Sequence, residues 1–320
     1  MAILQNTPWV TPNQIIEAFS PFNNPNSIEG IIIGNDLDSL LSACLLKFKY
    51  NWDVVGIYDL KKIWYNQENP EFIEKLLHGK YLAVDLDIYH SSIFSIGHHI
   101  ETMTRDDRIP GHIKSLNPNL IRGIHNREFK RKYPLGTIHF LTWILQETRN
   151  LTQESKEIIW LADSSYINGQ SHKYRPNVND WLVNFFNDPI FLQHFNEIDD
   201  VEFEILIRTL IERIRATGIH VSRGQVGSRH LNIRGGQCQF SNPSDPTIGR
   251  MLDLICEITR WRKPEFPLEY TQIQGVRNTD TTTNTVTRGR LDQFLTEDRV
   301  FSYAIPNGGK INYTNGFPFI

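Results

Sequence analysis

Short apolar runs alternate with amphipathic stretches along the first part of the chain. Residues 30–33 form a β-branched run, and apolar residues then recur at helical spacing over residues 40–50. Apolar runs over residues 53–58 and 81–84 predict two further strands, and residues 72–77 between them predict a helix. Because strands that alternate with helices are typical of a largely parallel sheet, this part of the chain predicts an α/β fold.

Beyond residue 100 the apolar spacing is mostly helical. It predicts helices over residues 137–147, 153–162, 178–186 and 201–216. From Gly218 onward, short apolar runs, glycine-rich turns and a Thr/Asn-rich stretch over residues 278–287 predict a smaller domain with a flexible loop.

Together these patterns predict two domains. The first, in residues 1–190, is an α/β domain with about five largely parallel strands flanked by helices. The second, in residues 196–320, is a smaller α+β domain that binds substrate or forms a cap. We place the boundary between Asp188 and Asn196.

Composition and charge limit the kinds of partner. The chain has 320 residues, of which 40% are hydrophobic and 22% charged, as in ordinary globular proteins. Its formal net charge of −3 argues against holding nucleic acid through bulk electrostatics. Any polynucleotide binding must therefore depend on a local basic surface.

The cysteines and the N-terminal residues bear on localisation. Cys44, Cys238 and Cys256 are odd in number, widely separated, and without the CxxC spacing of a zinc or redox site. No N-terminal signal pattern is present, and no stretch approaches the ~20 apolar residues of a membrane helix. We expect a reduced, cytoplasmic protein with no membrane partner.

Asp36 and Asp38 flank Leu37 directly after the first predicted strand. In parallel sheets, ligands bind beyond the carboxyl ends of the strands. Carboxylate oxygens are preferred by hard divalent cations, so the two side chains are candidate metal ligands. The alternative is that they cap the helix that follows, but a helix needs only one such cap.

Further acidic and imidazole residues follow in the same half of the chain. Asp85 comes directly after the run over residues 81–84, and we expect it to be a ligand, whereas Asp87 faces solvent or caps a turn. His98 and His99 are adjacent imidazoles that we expect to diverge, one toward a metal and the other toward a phosphate. Asp163 follows an apolar helix, where an unpaired carboxylate would be costly.

Taken in order, these residues resemble the motifs of the DHH phosphoesterase superfamily, which includes RecJ-type exonucleases, oligoribonucleases and cyclic dinucleotide phosphodiesterases. The first motif, Asp-x-Asp, stands here as Asp36-Leu37-Asp38; the second resembles Asp85 and the fourth Asp163. The third motif, Asp-His-His, stands as Gly97-His98-His99, so its leading carboxylate is missing. The resemblance covers about residues 28–170 and does not include the family's Gly-Gly-Gly-His turn.

The resemblance implies a metal-dependent phosphodiesterase or nuclease. It implies that two ions, Mn²⁺ or Mg²⁺, activate water, and that His99 donates to the charge that develops on phosphorus. The implied metal ligands are Asp36, Asp38, Asp85, His98 and Asp163. The implied catalytic residues are His98, His99, Asp38 and Asp163.

Basic residues near these motifs are candidate substrate contacts. Arg127, Lys130 and Arg131 lie in a basic segment with interleaved aromatic residues, and Arg234 belongs to a sparser basic set. Such segments hold single strands through phosphates and stacked bases, although a solvated face is the alternative. The substrate stays open between single-stranded DNA or RNA, short oligonucleotides and a nucleotide such as a cyclic dinucleotide.

A second hypothesis follows from the missing carboxylate at Gly97. The chain would then be a catalytically weakened relative that binds a nucleotide as a sensor or regulator. Retention of five candidate ligands favours the enzyme, because crowded carboxylates repel one another without a cation. A homodimer is compatible with either hypothesis.

Overall fold

The computed structural model describes residues 2–105, 107, 109–165, 174–219, 239–282, 291–307 and 309–320. These residues divide into two compact units, each built from separate stretches of the chain. The first unit comprises Met1–Gly34, Trp52–Lys132 and Glu265–Ile320, and the second comprises Asn35–Asn51 and Tyr133–Pro264. Residues 188–196, where we predicted the domain boundary, lie inside the second unit, so the observed division does not coincide with the predicted one.

The secondary structure is as follows. The strands are β1 (Gly30–Ile33), β2 (Val54–Tyr58), β3 (Lys62–Asn66), β4 (Tyr81–Val84), β5 (Phe94–Ile96), β6 (Ser115–Leu116), β7 (Tyr270–Gln274), β8 (Val276–Thr281), β9 (Ser302–Asn307) and β10 (Lys310–Asn315). The α-helices are α1 (Pro12–Ala18), α2 (Ser20–Asn23), α3 (Leu37–Tyr50), α4 (Phe72–Leu77), α5 (Pro118–Arg122), α6 (Thr137–Ile144), α7 (Gln153–Leu161), α8 (Arg175–Asp180), α9 (Pro189–Glu197), α10 (Asp200–Ala216), α11 (Pro246–Thr259) and α12 (Leu291–Glu297). None of the helices in the described part of the chain combines the length and apolarity needed to cross a bilayer.

A seven-stranded mixed sheet lies at the centre of the first unit. Its strand order is β6-β5-β4-β1-β2-β3-β7. The pairs from β6 to β2 are parallel, and β3 and β7 pair antiparallel. The α/β class and the mostly parallel sheet are therefore confirmed. The sequence patterns locate β1, β2 and β4 but miss the other four strands of this sheet. β3 and β7 mix polar and apolar residues and are only partly buried, and β5 and β6 have only three and two residues.

The central strands are fixed by apolar packing. β1 consists of a glycine and three isoleucines, all buried. On one face of the sheet, Ile32, Tyr58 and Ala83 share a core with Phe72 and Leu76 of α4. Burial of each large apolar side chain contributes about 1.5–3 kcal/mol, so this core holds the strand ends in a defined register.

A three-stranded antiparallel sheet in the order β8-β10-β9 also belongs to the first unit. Leu291 and Leu295 of α12 pack in one core with Tyr303 and Ile311 of this sheet. The flexible loop predicted over residues 278–287 is wrong for residues 278–281, which lie in β8. Their β-branched threonines suit a strand. Residues 283–287 are outside the described residues.

Helices dominate the second unit, as predicted. The helices predicted over residues 137–147, 153–162 and 201–216 are confirmed as α6, α7 and α10, with small differences at their ends. α11 contradicts the short β-like runs predicted beyond Gly218. Its buried residues Ile248, Met251, Ile255 and Ile258 recur at helical spacing, so the sequence did contain the signal.

Cys44 on α3 and Cys256 on α11 lie side by side in the second unit, with 3.9 Å between their Sγ atoms. Both are free thiols, and burial raises the pKa of the Cys44 thiol well above its usual value. Wide separation along the chain therefore does not mean separation in space for this pair. Cys238 lies outside the described residues.

His112 provides a test of the packing of the first unit. The side chain is fully buried, with Nδ1 2.9 Å from Ser115 Oγ and Nε2 3.1 Å from Tyr303 Oη. Burial lowers the pKa of His112 to about 3, whereas an unfolded histidine titrates near about 6.5. Between these values only the unfolded state takes up the proton, so the free energy of unfolding falls as the pH falls below about 6.5.

We expect His112→Gln to reduce this pH dependence by up to about 1.4 kcal/mol per pH unit between pH 6 and pH 4, measured by urea unfolding. The matched control is His78→Gln, at an exposed histidine of the same unit. An unaltered slope in His112→Gln would show that this imidazole is not held neutral in the folded chain.

Candidate metal site

The register of three parallel strands brings together the residues that follow them. Val84 of β4 pairs with Ile96 of β5, and Ile96 pairs with Leu116 of β6. Asp85, Gly97 and Asn117, the residues immediately after these partners, therefore lie at one carboxyl edge of the sheet. This is the edge at which parallel sheets bind their ligands.

Asp85 occupies a sharp turn in the backbone at this edge. Its φ of 58° lies in the left-handed region, which is uncommon for residues other than glycine but is tolerated by aspartate. The turn lets the next residue, Leu86, donate its N–H to the Ile96 carbonyl at 3.1 Å and bury its side chain in the core. The Asp85 side chain is thereby fixed at the edge, with 8% of the residue exposed.

The two histidines lie beside Asp85. His98 Nδ1 is 3.7 Å from Asp85 Oδ1, and the rings of His98 and His99 lie with their centroids 3.8 Å apart at 45°. The prediction that these imidazoles diverge is therefore wrong. Asp85, His98 and His99 each offer one ligand atom, and these three atoms lie within 4.8 Å of one another.

This spacing fits a divalent cation. Ligand atoms at about 2.1 Å from one ion lie about 3.0 Å apart when adjacent and about 4.2 Å apart when opposite, so atoms within 4.8 Å of one another must draw closer by up to about 2 Å to share an ion. Side-chain rotations can cover that distance. A donor set of two imidazoles and one carboxylate suits Mn²⁺ and its neighbours in the first transition row better than Mg²⁺, which prefers oxygen ligands.

Hydrogen bonds hold the backbone that carries the imidazoles. Asn119 Nδ2 donates to the carbonyls of His98 at 2.8 Å and Ile100 at 3.1 Å. Lys132 Nζ donates to the His99 carbonyl at 2.7 Å, and the His99 N–H donates to Asp87 Oδ2 at 2.7 Å. The segment therefore has little freedom to move relative to Asp85.

The prediction that Asp87 faces solvent or caps a turn is wrong. The residue is 5% exposed, and its Oδ1 accepts from Asn117 Nδ2 at 2.8 Å. Burial raises the pKa of the Asp87 carboxyl, against the opposing effects of the His99 N–H, His98 and Asn117. Glu101 is also buried, which raises the pKa of its carboxyl to about 7, against the opposing charge of Lys132.

The second unit holds the remaining predicted ligands, and there both aspartates of the first motif cap helices. Asp36 Oδ1 accepts from the Ser39 N–H at 3.0 Å, which caps α3. Asp38 is buried, and its two oxygens accept from the N–H groups of Thr137 at 2.6 Å and Ile138 at 2.7 Å, at the start of α6. Two helices thus account for the two capping carboxylates.

Gly136 makes this approach of Asp38 to α6 feasible. A Cβ atom at residue 136 would lie 2.6 Å from Asp38 Oδ2, closer than packed atoms approach. A side chain at this position would displace the carboxylate from the helix N-terminus.

Asp163 lies in the second unit directly after α7, where the sequence placed it after an apolar helix. Its φ of 52° is again in the left-handed region. The pKa of the Tyr133 phenol is raised well above its usual value, mainly by burial and further by the negative charges of Asp38 and Asp163. Both carboxylates are therefore within electrostatic range of one phenol.

Comparison of the chain with protein-family models, with curated proteins and with solved structures found no significant match. The resemblance to the DHH phosphoesterases accordingly stays a prediction from the motifs, and we infer function from the residues and their geometry.

The predicted substrate contacts lie on the surface of the first unit or outside the described residues. Arg127 and Lys130 are exposed on the short helical segment Asn126–Arg131. Arg131 is exposed and pairs with Glu128 at 2.8 Å. Arg234 is not among the described residues. Their role in substrate binding remains a prediction.

The capping by Asp38 changes the expected effect of substituting it. If Asp38 were only a metal ligand, Asp38→Ala would leave the fold largely intact, but the substitution removes the acceptor of two buried N–H groups. We expect Asp38→Ala to lower the free energy of unfolding by about 2–5 kcal/mol, measured by urea unfolding in EDTA. Asp36→Ala, which removes a cap at one half-buried position, should cost only about 1 kcal/mol. Equal, small losses in both variants would contradict this difference.

Proposed function

We propose that this chain is a metal-dependent phosphoesterase that hydrolyses phosphodiester bonds in single-stranded or short nucleic acid or in a nucleotide. The observation that carries the proposal is the convergence of Asp85, His98 and His99 at the carboxyl edge of the parallel sheet. The order of the acidic and imidazole motifs along the chain supports it.

Mn²⁺ is the proposed metal, with Mg²⁺ as the weaker candidate, because Mn²⁺ accepts an imidazole nitrogen beside a carboxylate oxygen more readily than Mg²⁺ does. Asp85 and His98 would hold it. When bound, such ions polarise the phosphate and lower the pKa of water. From the sequence, Asp36, Asp38 and Asp163 are further proposed ligands, which would allow a second ion.

Capping does not exclude Asp36 and Asp38 from metal binding. An ionised carboxylate offers about four acceptor sites, and the hydrogen bonds of Asp38 to Thr137 and Ile138 use two of them. The same bonds orient the carboxylate. They also mean that the two aspartates have a structural role whether or not a metal binds.

The proposed role of His99 is to contact the phosphate. Its backbone is fixed on both sides, by Asp87 at the N–H and by Lys132 at the carbonyl. With the backbone fixed, only the side-chain torsions of His99 have to be ordered before the ring donates a hydrogen bond to a phosphate oxygen. Arg127 and Lys130, which are exposed, are proposed to contact the phosphates of a longer substrate.

A nucleotide-sensing or regulatory protein is the second candidate function. It is favoured by the structural role of Asp36 and Asp38 as helix caps, since this explains both carboxylates without catalysis. In that case the chain binds metal or nucleotide through Asp85 and His98 but turns over no phosphodiester.

Hydrolysis of a substrate panel distinguishes the two functions. The panel consists of single-stranded DNA, single-stranded RNA, a dinucleotide and cyclic dinucleotides, each with Mn²⁺, with Mg²⁺ and with EDTA. We expect Mn²⁺-dependent cleavage of at least one member. Asp85→Asn should reduce it by at least about 100-fold, since even outer groups of a metal site contribute about 10–100-fold.

The matched control is Glu68→Gln, at an exposed carboxylate of the same unit, which should leave the rate unchanged. Full activity in Asp85→Asn would contradict the proposed site. Absence of cleavage, together with Mn²⁺ binding that Asp85→Asn abolishes, would support the sensor instead.

A further inference from the structure

The carboxylate of Asp87 fills the space that a side chain at residue 97 would need. A Cβ atom on Gly97 would lie 2.7 Å from Asp87 Cγ and 2.8 Å from each of its carboxylate oxygens. Contacts this short do not occur between packed atoms. Only glycine therefore fits at residue 97 while Asp87 is in this position. The buried carboxylate of Asp87 thus occupies the space that the leading carboxylate of the third motif would need.

Both oxygens of Asp87 are used to hold the imidazole segment. Oδ2 accepts from the His99 N–H, and Oδ1 accepts from Asn117 Nδ2. Asn117 Oδ1 in turn accepts from the Asn119 N–H at 2.9 Å, and Asn119 Nδ2 donates to the His98 carbonyl. A continuous chain of hydrogen bonds therefore runs from Asp87 through Asn117 and Asn119 and holds both polar groups of the peptide bond between His98 and His99.

We infer that Asp87 is a positioning residue for His98 and His99, and that it supplies from the end of β4 the carboxylate that residue 97 lacks. The effect on metal affinity rests on the proposed function, whereas the hold on the His99 N–H does not. Within the described residues, Asp87 is not part of a group that offers a ligand atom to a metal, so it acts through the histidines.

If Asp87 stands in for a carboxylate at residue 97, an aspartate introduced at residue 97 should take over its role. The backbone of Gly97 is outside the left-handed region, so an aspartate there is not strained once Asp87 is shortened. The two carboxylates cannot occupy the same space together. The informative set is therefore Asp87→Ala, Gly97→Asp and the double variant that combines them.

Two measurements compare these three variants with the native protein. The first is the amide signal of His99 in the ¹H–¹⁵N spectrum of the metal-free protein, which reports the hydrogen bond to the carboxylate. We expect a large upfield shift in Asp87→Ala and a return toward the native position in the double variant. The second is Mn²⁺ affinity by calorimetry, which Asp87→Ala should weaken by about 10–100-fold and the double variant should restore to within about threefold.

Gly97→Asp alone should be the least stable of the three variants in urea, because it forces two buried carboxylates into one space. The matched control is Asp59→Ala. Asp59 follows β2 and accepts from the N–H groups of Lys61 and Lys62, so its loss costs stability but should leave both the His99 amide and Mn²⁺ affinity unchanged.

Each outcome decides one claim. An unshifted His99 amide in Asp87→Ala, or native Mn²⁺ affinity in that variant, would overturn the positioning role. A double variant no better than Asp87→Ala would overturn the exchange between residues 87 and 97. If the native chain binds no Mn²⁺, the proposed function fails, and the His99 amide still decides whether Asp87 holds the segment.

Discussion

The register of β4, β5 and β6 is the constraint on which the candidate site depends. Because Val84, Ile96 and Leu116 are partners across the sheet, the residues after them meet at one edge, although they are separated by many residues along the chain. The apolar core under the sheet sets that register. The site is therefore positioned by burial of side chains such as Ile32 and Phe72, which have no chemical role of their own.

Placing polar and charged groups around the histidines costs free energy of desolvation. Asp87 and Glu101 are buried and Lys132 is half-buried, and partial or complete removal from water opposes ionisation of each of them. Hydrogen bonds from Asn117 and the His99 N–H offset part of the cost for Asp87, and bonds to the carbonyls of His99 and Ile305 do so for Lys132. Such a network stabilises the fold little, but it specifies the geometry of the histidine segment.

Local patterns in the sequence predicted the local parts of the structure. The strands at residues 30–33 and 81–84 are found at those positions, and Asp85 follows the second at the carboxyl edge. The sequence did not show that Asp38 caps α6, because the two are about a hundred residues apart along the chain. For the same reason Asp87 seemed a surface residue: only the tertiary structure places Gly97 and Asn117 against it.

The proposed metal site at the sheet edge has Asp85 and His98 as ligands, with His99 beside them. The most direct test is anomalous diffraction at the manganese edge from crystals of the native chain grown with Mn²⁺. We expect an anomalous peak within coordination distance of Asp85 and His98. Well-ordered crystals at saturating Mn²⁺ with no peak at these side chains, or with peaks only elsewhere, would contradict it.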